Sequence, residues 1–230
     1  MKPLRLLLID TETNGLPKNK YAPPWEPGCW PAILQLSWAQ YSLDGQTLTA
    51  LERRDIGIAL DPAISWDASA AAIHGVSEAE ARHGVPALTA LLELGRVLRT
   101  IDVVVAHNLA FDKSIIRAAA YAEAGRHPDE AAKLRGLWPN ALNEFCTMRA
   151  SKDLVKIPAT AKQAEHPELG AYKAPRLNEL YTWLHGHVYD LSGATLHSSK
   201  ADTHCLAQCL QGLIRKKHVR RQVDSLCLAL

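Results

Sequence analysis

The chain has 230 residues, 47% of them hydrophobic and 22% charged, and its 26 Lys and Arg nearly balance its 24 Asp and Glu. That length and apolar share suit one globular domain over residues 1–230, with one sizeable core and no need for a second. A formal charge of +2 neither requires nor excludes a nucleic-acid partner, since a basic groove can lie on a nearly neutral surface, and no apolar stretch reaches membrane-spanning length.

From the N-terminus, Leu4 to Asp10 is a continuous apolar run, which predicts a strand buried on both faces and ending at its acid. The run is too short for a signal-peptide core, so a soluble, intracellular, cytoplasmic protein without a membrane anchor is expected. Leu16 to Pro31 is rich in proline, carries Trp25 and Trp30, and reads as a long loop. Ile33 to Tyr41 alternates apolar residues at Leu34, Leu36 and Trp38, and Leu48 to Leu60 forms a further extended segment after the Asp44-Gly45 turn. These predict an antiparallel meander with the first strand.

Helical periodicity follows, briefly at Ser65 to Ile73 and more fully at Pro86 to Leu98. Asp102 to Ala106 predicts a second buried strand, Leu109 to Glu123 a helix, and Glu144 to Thr147 a short strand. Residues 151–175 read as an irregular excursion, and helices are expected over Arg176–Leu184 and Ala201–Lys217. The five cysteines (Cys29, Cys146, Cys205, Cys209 and Cys227) form no C-x-x-C pair, so reduced thiols are expected, with Cys205 and Cys209 one helical turn apart.

Chemistry is concentrated in a few acids. Asp10 and Glu12 alternate across one residue, so both carboxylates project to one side of an extended segment, where two oxygens can hold a hard cation. Asp112 falls in the first turn of a helix after a buried strand, where the helix dipole also favours an acid. Asp202 opens the last helix and shares a stripe with Leu206, Cys209 and Leu213, which aims it at the sheet. Two His-x4-Asp pairs compete, His185 with Asp190 and His197 with Asp202; only the second leads into a long amphipathic helix, which favours His197. Near metal-binding acids a histidine can take a proton from water at neutral pH.

The segments Asp10-Thr11-Glu12-Thr13-Asn14-Gly15, Ile73-His74-Gly75-Val76, His107-Asn108-Leu109-Ala110-Phe111-Asp112 and His197-Ser198-Ser199-Lys200-Ala201-Asp202 resemble, in this order, the motifs of DnaQ-like (DEDDh) 3′→5′ exonucleases. This resemblance implies an α/β, RNase H-like fold: a mixed five-stranded sheet, its first three strands an antiparallel meander, flanked by helices. It further implies two ions, Mg²⁺ or Mn²⁺. Asp10, Glu12 and Asp202 would hold one, Asp10 would bridge to the second, and Asp112 would bind that one directly or through water. His197 would be the general base. Ser198 stands where a sister subclass has a catalytic tyrosine. Thr11, Thr13, His74 and Asn108 would contact the terminal nucleotide.

The expected partner is a nucleic acid with a free 3′ end, DNA in single-stranded or frayed form, with nucleoside 5′-monophosphates released. An RNA exonuclease of the same fold and an inactive nucleic-acid-binding module are the alternatives; any polymerase partner would act in trans. Trp25 or Trp30 could stack on an unpaired base or pin the proline-rich loop, and the basic run Arg215 to Arg221 could track a phosphate backbone or end a solvated helix.

Overall fold

The apolar run of the first strand lies at the centre of the molecule: Leu7, Leu8 and Ile9 are fully buried. A computed structural model describes residues 2–166, 170–190 and 199–216. Strand β1 (Leu4–Thr13) pairs antiparallel with β2 (Ile33–Asp44), which pairs antiparallel with β3 (Thr47–Gly57). On its other side β1 runs parallel to β4 (Val103–Ala106), and β4 parallel to β5 (Asn143–Cys146). The sheet order is therefore β3-β2-β1-β4-β5, the mixed five-stranded sheet with a leading meander that the motifs imply.

Strand β1 continues three residues past Asp10, because Thr11 and Glu12 keep register with Leu36 and Gln35 before a bulge at Glu12/Thr13. Strand β3 stops at Gly57, short of the expected Leu60; Ile58 turns away to bridge Val85. The β2–β3 turn needs Gly45, whose φ of 57° is a left-handed conformation that costs glycine little.

Nine helices are described: α1 (Ala68–His74), α2 (Glu78–Arg82), α3 (Ala87–Leu98), α4 (Leu109–Arg126), α5 (Ala131–Arg135), α6 (Thr147–Val155), α7 (Ala161–Ala164), α8 (Leu177–His185) and α9 (Ser199–Arg215). Residues 151–175 are thus not wholly irregular, since α6 reaches Val155 and α7 adds a turn. Helix α6 begins at Thr147, where the expected strand ended, and the residues it buries are Thr147 and Ser151. Their hydroxyls bond Ala106 O and Thr147 O, while Ala150, Leu154 and Val155 of the same helix pack, partly buried, against the α8–α9 side of the core.

Strand alternation sorts the core into two layers. Leu7 and Ile9 pack with Leu36, Trp38 and Val104 against α3 and α4, whereas Leu6 and Leu8 pack with Val103, Val105 and Phe145 against α8 and α9. Each fully buried Leu or Ile contributes about 1.5–3 kcal/mol relative to exposure. Cys205 and Cys209 are free and buried on α9; the hydrogen bond with the Cys205 thiol, then burial, raise the pKa of the Cys209 thiol. Among the described residues no helix is long and apolar enough to cross a membrane.

Candidate active site

The same alternation sorts the polar end of β1. Asp10 and Glu12 continue the Leu6–Leu8 face towards α9, and Thr11 and Thr13 continue the Leu7–Ile9 face towards α4. In its first turn α9 supplies Asp202, and one carboxylate oxygen each from Asp10, Glu12 and Asp202 lie within 4.8 Å of one another. Asp112 is not in that group. It sits 2% exposed in the first turn of α4, where its Oδ1 accepts from the Thr11 backbone N–H at 3.0 Å and from Thr11 Oγ1 at 2.8 Å. One strand thus meets an acid from each helical layer.

Burial and mutual repulsion govern these carboxyls. Desolvation first, then the charges of Asp112, Asp202 and Glu12, raise the pKa of Asp10 well above the usual carboxylate range. Burial, then Asp202 and Asp112, pushes Glu12 up to about 8. Asp112 is raised by burial against the pull of its Thr11 hydrogen bonds. Among the described residues no basic side chain offsets the charge at Asp10 or Glu12. A set of hard oxygen donors with uncompensated charge fits a divalent cation such as Mg²⁺ or Mn²⁺.

Asp202 owes its position to polar fastenings that leave no trace in a hydrophobic pattern. Ser199, buried at the start of α9, shares a 2.7 Å hydroxyl hydrogen bond with Ser37 on β2. Arg53 on β3 donates to the Lys200 carbonyl and is held by Asp55 at 3.1 Å. Ser199→Ala is expected to cost about 1 kcal/mol and to weaken Mn²⁺ binding at least roughly ten-fold, read by thermal melts and Mn²⁺ titration. Unchanged Mn²⁺ affinity refutes the idea that Ser199 sets Asp202.

The first two motif segments are joined through α1. The Asn14 side chain donates to Ser65 O at 2.9 Å and accepts from the Asp67 N–H at 3.0 Å, and Asp67 in turn caps α1 through Ser69 and Ala70. Gly15 has φ 111°, and a Cβ there would stand 3.2 Å from Asp67 Oδ2. At the far end of α1, Gly75 adopts φ 72°, and His74, buried, accepts the Val76 N–H on Nδ1 while its Nε2 has no partner among the described residues. Burial lowers the His74 pKa, so the ring is neutral, with Nε2 as the proton-bearing nitrogen. No hydrogen bond links His74 to the acids among the described residues.

Asn108 takes the left-handed φ of 72° at the start of α4, is exposed, and makes no side-chain cap. Thr13 is buried and its hydroxyl donates to Gly15 O at 2.8 Å. His107 is a brace: its ring bonds Thr147 Oγ1 at 3.0 Å and Pro175 O at 2.9 Å, tying the end of β4 to α6 and to the approach of α8. The competing His185 stacks on Tyr181, ring centroids 4.4 Å apart. His197 and Ser198, together with the basic run from Lys217 onward, lie outside the described residues. Asn14 and Ser199 stand within the motif segments but carry no role there, and Asp67 and Arg53 lie outside every motif, so no sequence signal marks the hydrogen bonds these four make.

No family model and no curated protein matches the sequence. Solved structures do. E. coli exonuclease I in complex with a dA16 oligonucleotide superposes with TM-score 0.65 at 14% identity, over 99% of this chain and 45% of that one. A product-bound exonuclease I gives 0.63 at 14% identity over 97% and 45%. The zinc-bound form of the E. coli enzyme with single-stranded DNA gives 0.60 at 14% identity over 97% and 42%. The chain thus spans under half the length of these proteins, and what it shares with them across nearly all of its own length is the fold.

Proposed function

We propose that the chain is a metal-dependent 3′→5′ exonuclease that hydrolyses phosphodiester bonds at single-stranded or frayed 3′ ends of DNA and releases nucleoside 5′-monophosphates. The observation that carries this reading is the convergence of Asp10, Glu12 and Asp202 at one end of the central strand, in a fold shared with an exonuclease crystallised on an oligonucleotide. Asp10, Glu12 and Asp202 would hold one ion, and Asp10 with Asp112 the second. Two bound Mg²⁺ or Mn²⁺ ions supply Lewis acidity towards the phosphodiester and make water a better acid. The protein's own groups do the rest: Thr11 fixes Asp112 through two hydrogen bonds, His197 accepts the proton of the attacking water, and Thr11, Thr13, His74 and Asn108 seat the terminal nucleotide.

The acids make a thermal prediction with a definite sign. Glu12 titrates near 8 in the folded chain against an ordinary 4.5, so between these values the folded state binds more protons than the unfolded one. Stability of the metal-free protein is therefore present below the lower value and is lost as pH rises through the upper one. Metal binds the ionised carboxylates and competes with those protons. A fixed Mg²⁺ concentration about 100 times the Kd at pH 8 is expected to add about 2.7 kcal/mol there, or roughly 5–10 °C in Tm, and less near pH 5, where protons weaken the affinity. Melts in EDTA and in Mg²⁺ check this; no metal-dependent shift removes the metal site.

The activity test offers matched 5′-labelled single-stranded DNA, duplex DNA and RNA with Mg²⁺ or Mn²⁺. A stepwise ladder on single-stranded DNA is expected. A ladder on RNA alone reassigns the substrate, and no degradation of any of the three sinks the nuclease reading.

A further inference from the structure

Two cavities open along the exposed side of α4, and the acidic cluster accounts for neither. The first, about 670 Å³, begins at Asn108 and is lined by Lys113 and Arg117 of α4 and by Glu144 and Arg149 across from them. The second, about 410 Å³, lies further along the helix between Tyr121 and the proline-rich loop with Trp25 and Trp30. Pro24 borders both. Together they form a track that starts at the helix turn carrying Asp112 and passes the carboxyl ends of β4 and β5, the edge at which α/β sheets bind ligands.

The charges along this track differ in availability. Glu144 is engaged by Lys113 at 2.5 Å and by Trp138 Nε1 at 2.9 Å, which offsets the lysine. Arg117 and Arg149 pair with no carboxylate of the described residues, so the first cavity presents two uncommitted guanidinium groups. In the second cavity Glu123 and Asp61 both pair with Arg126. Trp25 stands 56% exposed there, edge-on to Tyr121 at 5.8 Å between centroids, and Trp30 holds the loop in place by donating to Pro23 O at 3.1 Å. Arg117 and Tyr121 lie about 7 and 14 Å beyond Asp112 along the helix axis at roughly 1.5 Å per residue, and at about 3.6 residues per turn they share the face of α4 opposite the buried Asp112. Free cations first and an exposed indole beyond them match the alternation of phosphate and base in an unpaired strand.

We infer that this track binds single-stranded DNA upstream of the 3′ end, with phosphates on Arg117 and Arg149 and a base stacked on Trp25. The inference deepens the exonuclease reading and rests on it for the direction of the strand. Its test is binding in EDTA, where no hydrolysis is possible, using a labelled oligothymidylate of about 16 nucleotides followed by anisotropy over a range of salt. The double variant R117E/R149E is expected to bind at least roughly ten-fold more weakly, with the slope of log affinity against log salt smaller by about 1.4, the counterion release of two single-strand phosphates. Trp25→Ala is expected to weaken binding roughly ten-fold with the salt slope unchanged. Unaltered affinity and slope in the double variant, or wild type that does not bind in EDTA, overturns the track. Wild type that binds as described but yields no ladder with Mg²⁺ or Mn²⁺ overturns the exonuclease reading and leaves the track standing.

Discussion

Asp10→Asn is expected to lower hydrolysis by about 10³-fold or more while making the metal-free protein harder to melt. Both effects follow from one position. Asp10 belongs to the group of three acids whose oxygens lie within 4.8 Å, and of the charges acting on it Asp112 is the largest, whereas for Glu12 it ranks behind Asp202, so Asp10 is the better placed to serve both proposed ions. Asparagine keeps the shape but supplies a weaker, neutral oxygen. Without metal, burial and three neighbouring acids oppose ionisation of Asp10, and the neutral amide removes that penalty. Near pH 8 the gain should be about 1–2 kcal/mol, roughly 2–8 °C in Tm for a chain of this size, and smaller in acid, where the wild-type carboxyl is protonated. Turnover assays and melts in EDTA read the two effects on one preparation. Lost turnover with an intact Mg²⁺-induced shift would place Asp10 outside the metal site.

His197→Ala separates the proposed base from the proposed ligands. Turnover should fall by about 10²–10⁴-fold, the range for removing a general base, while the Mg²⁺-induced rise in Tm persists. Asp10, Glu12 and Asp202 are poor bases for the reaction because metal binding requires their lone pairs, whereas an imidazole of ordinary pKa near ~6.5 is half-neutral close to physiological pH. The acid limb of the pH–rate profile should disappear with the imidazole. His185→Ala is the control, since that ring is stacked on Tyr181. Turnover within a few-fold of wild type in His197→Ala, or a collapse in His185→Ala, would reverse the choice between the two histidines.

Much of the fold was legible because strands and amphipathic helices advertise themselves by period. Leu4 to Asp10, Leu34 to Trp38 and the α9 stripe all lie where alternation or helical spacing put them. Helix α6 escaped because its fully buried positions are the polar Thr147 and Ser151, and its apolar contacts are confined to the partly buried Ala150, Leu154 and Val155. The three-residue continuation of β1 escaped because Thr11, Glu12 and Thr13 look like a polar loop until the pairing with β2 is known. At the candidate site the acids were legible as inward charges at element ends. The parts that hold them were not: Ser199 meets Ser37 across 162 positions and Arg53 meets Lys200 across 147, separations at which no local pattern operates. The backbone near Thr11 was expected beside a nucleotide, and the same residue's hydroxyl holds Asp112, a contact 101 positions away that no local pattern signals.

The two-sided end of β1 also bears on how far a sequence can drift around such a site. Each helical layer rests on its own apolar cluster, and a core accepts replacement of one apolar residue by another when volume and pattern are kept. The polar positions at the strand end are set by alternation and by a few hydrogen bonds between distant segments, Thr11 with Asp112 and Ser37 with Ser199 among them. The apolar positions of the two layers can therefore vary, provided that the strand between them keeps its register and these few polar contacts are kept. A chain built this way can superpose on exonuclease I with TM-score 0.65 at 14% identity and still match no family model, since a fold outlasts the replacement of most of the side chains that fill it.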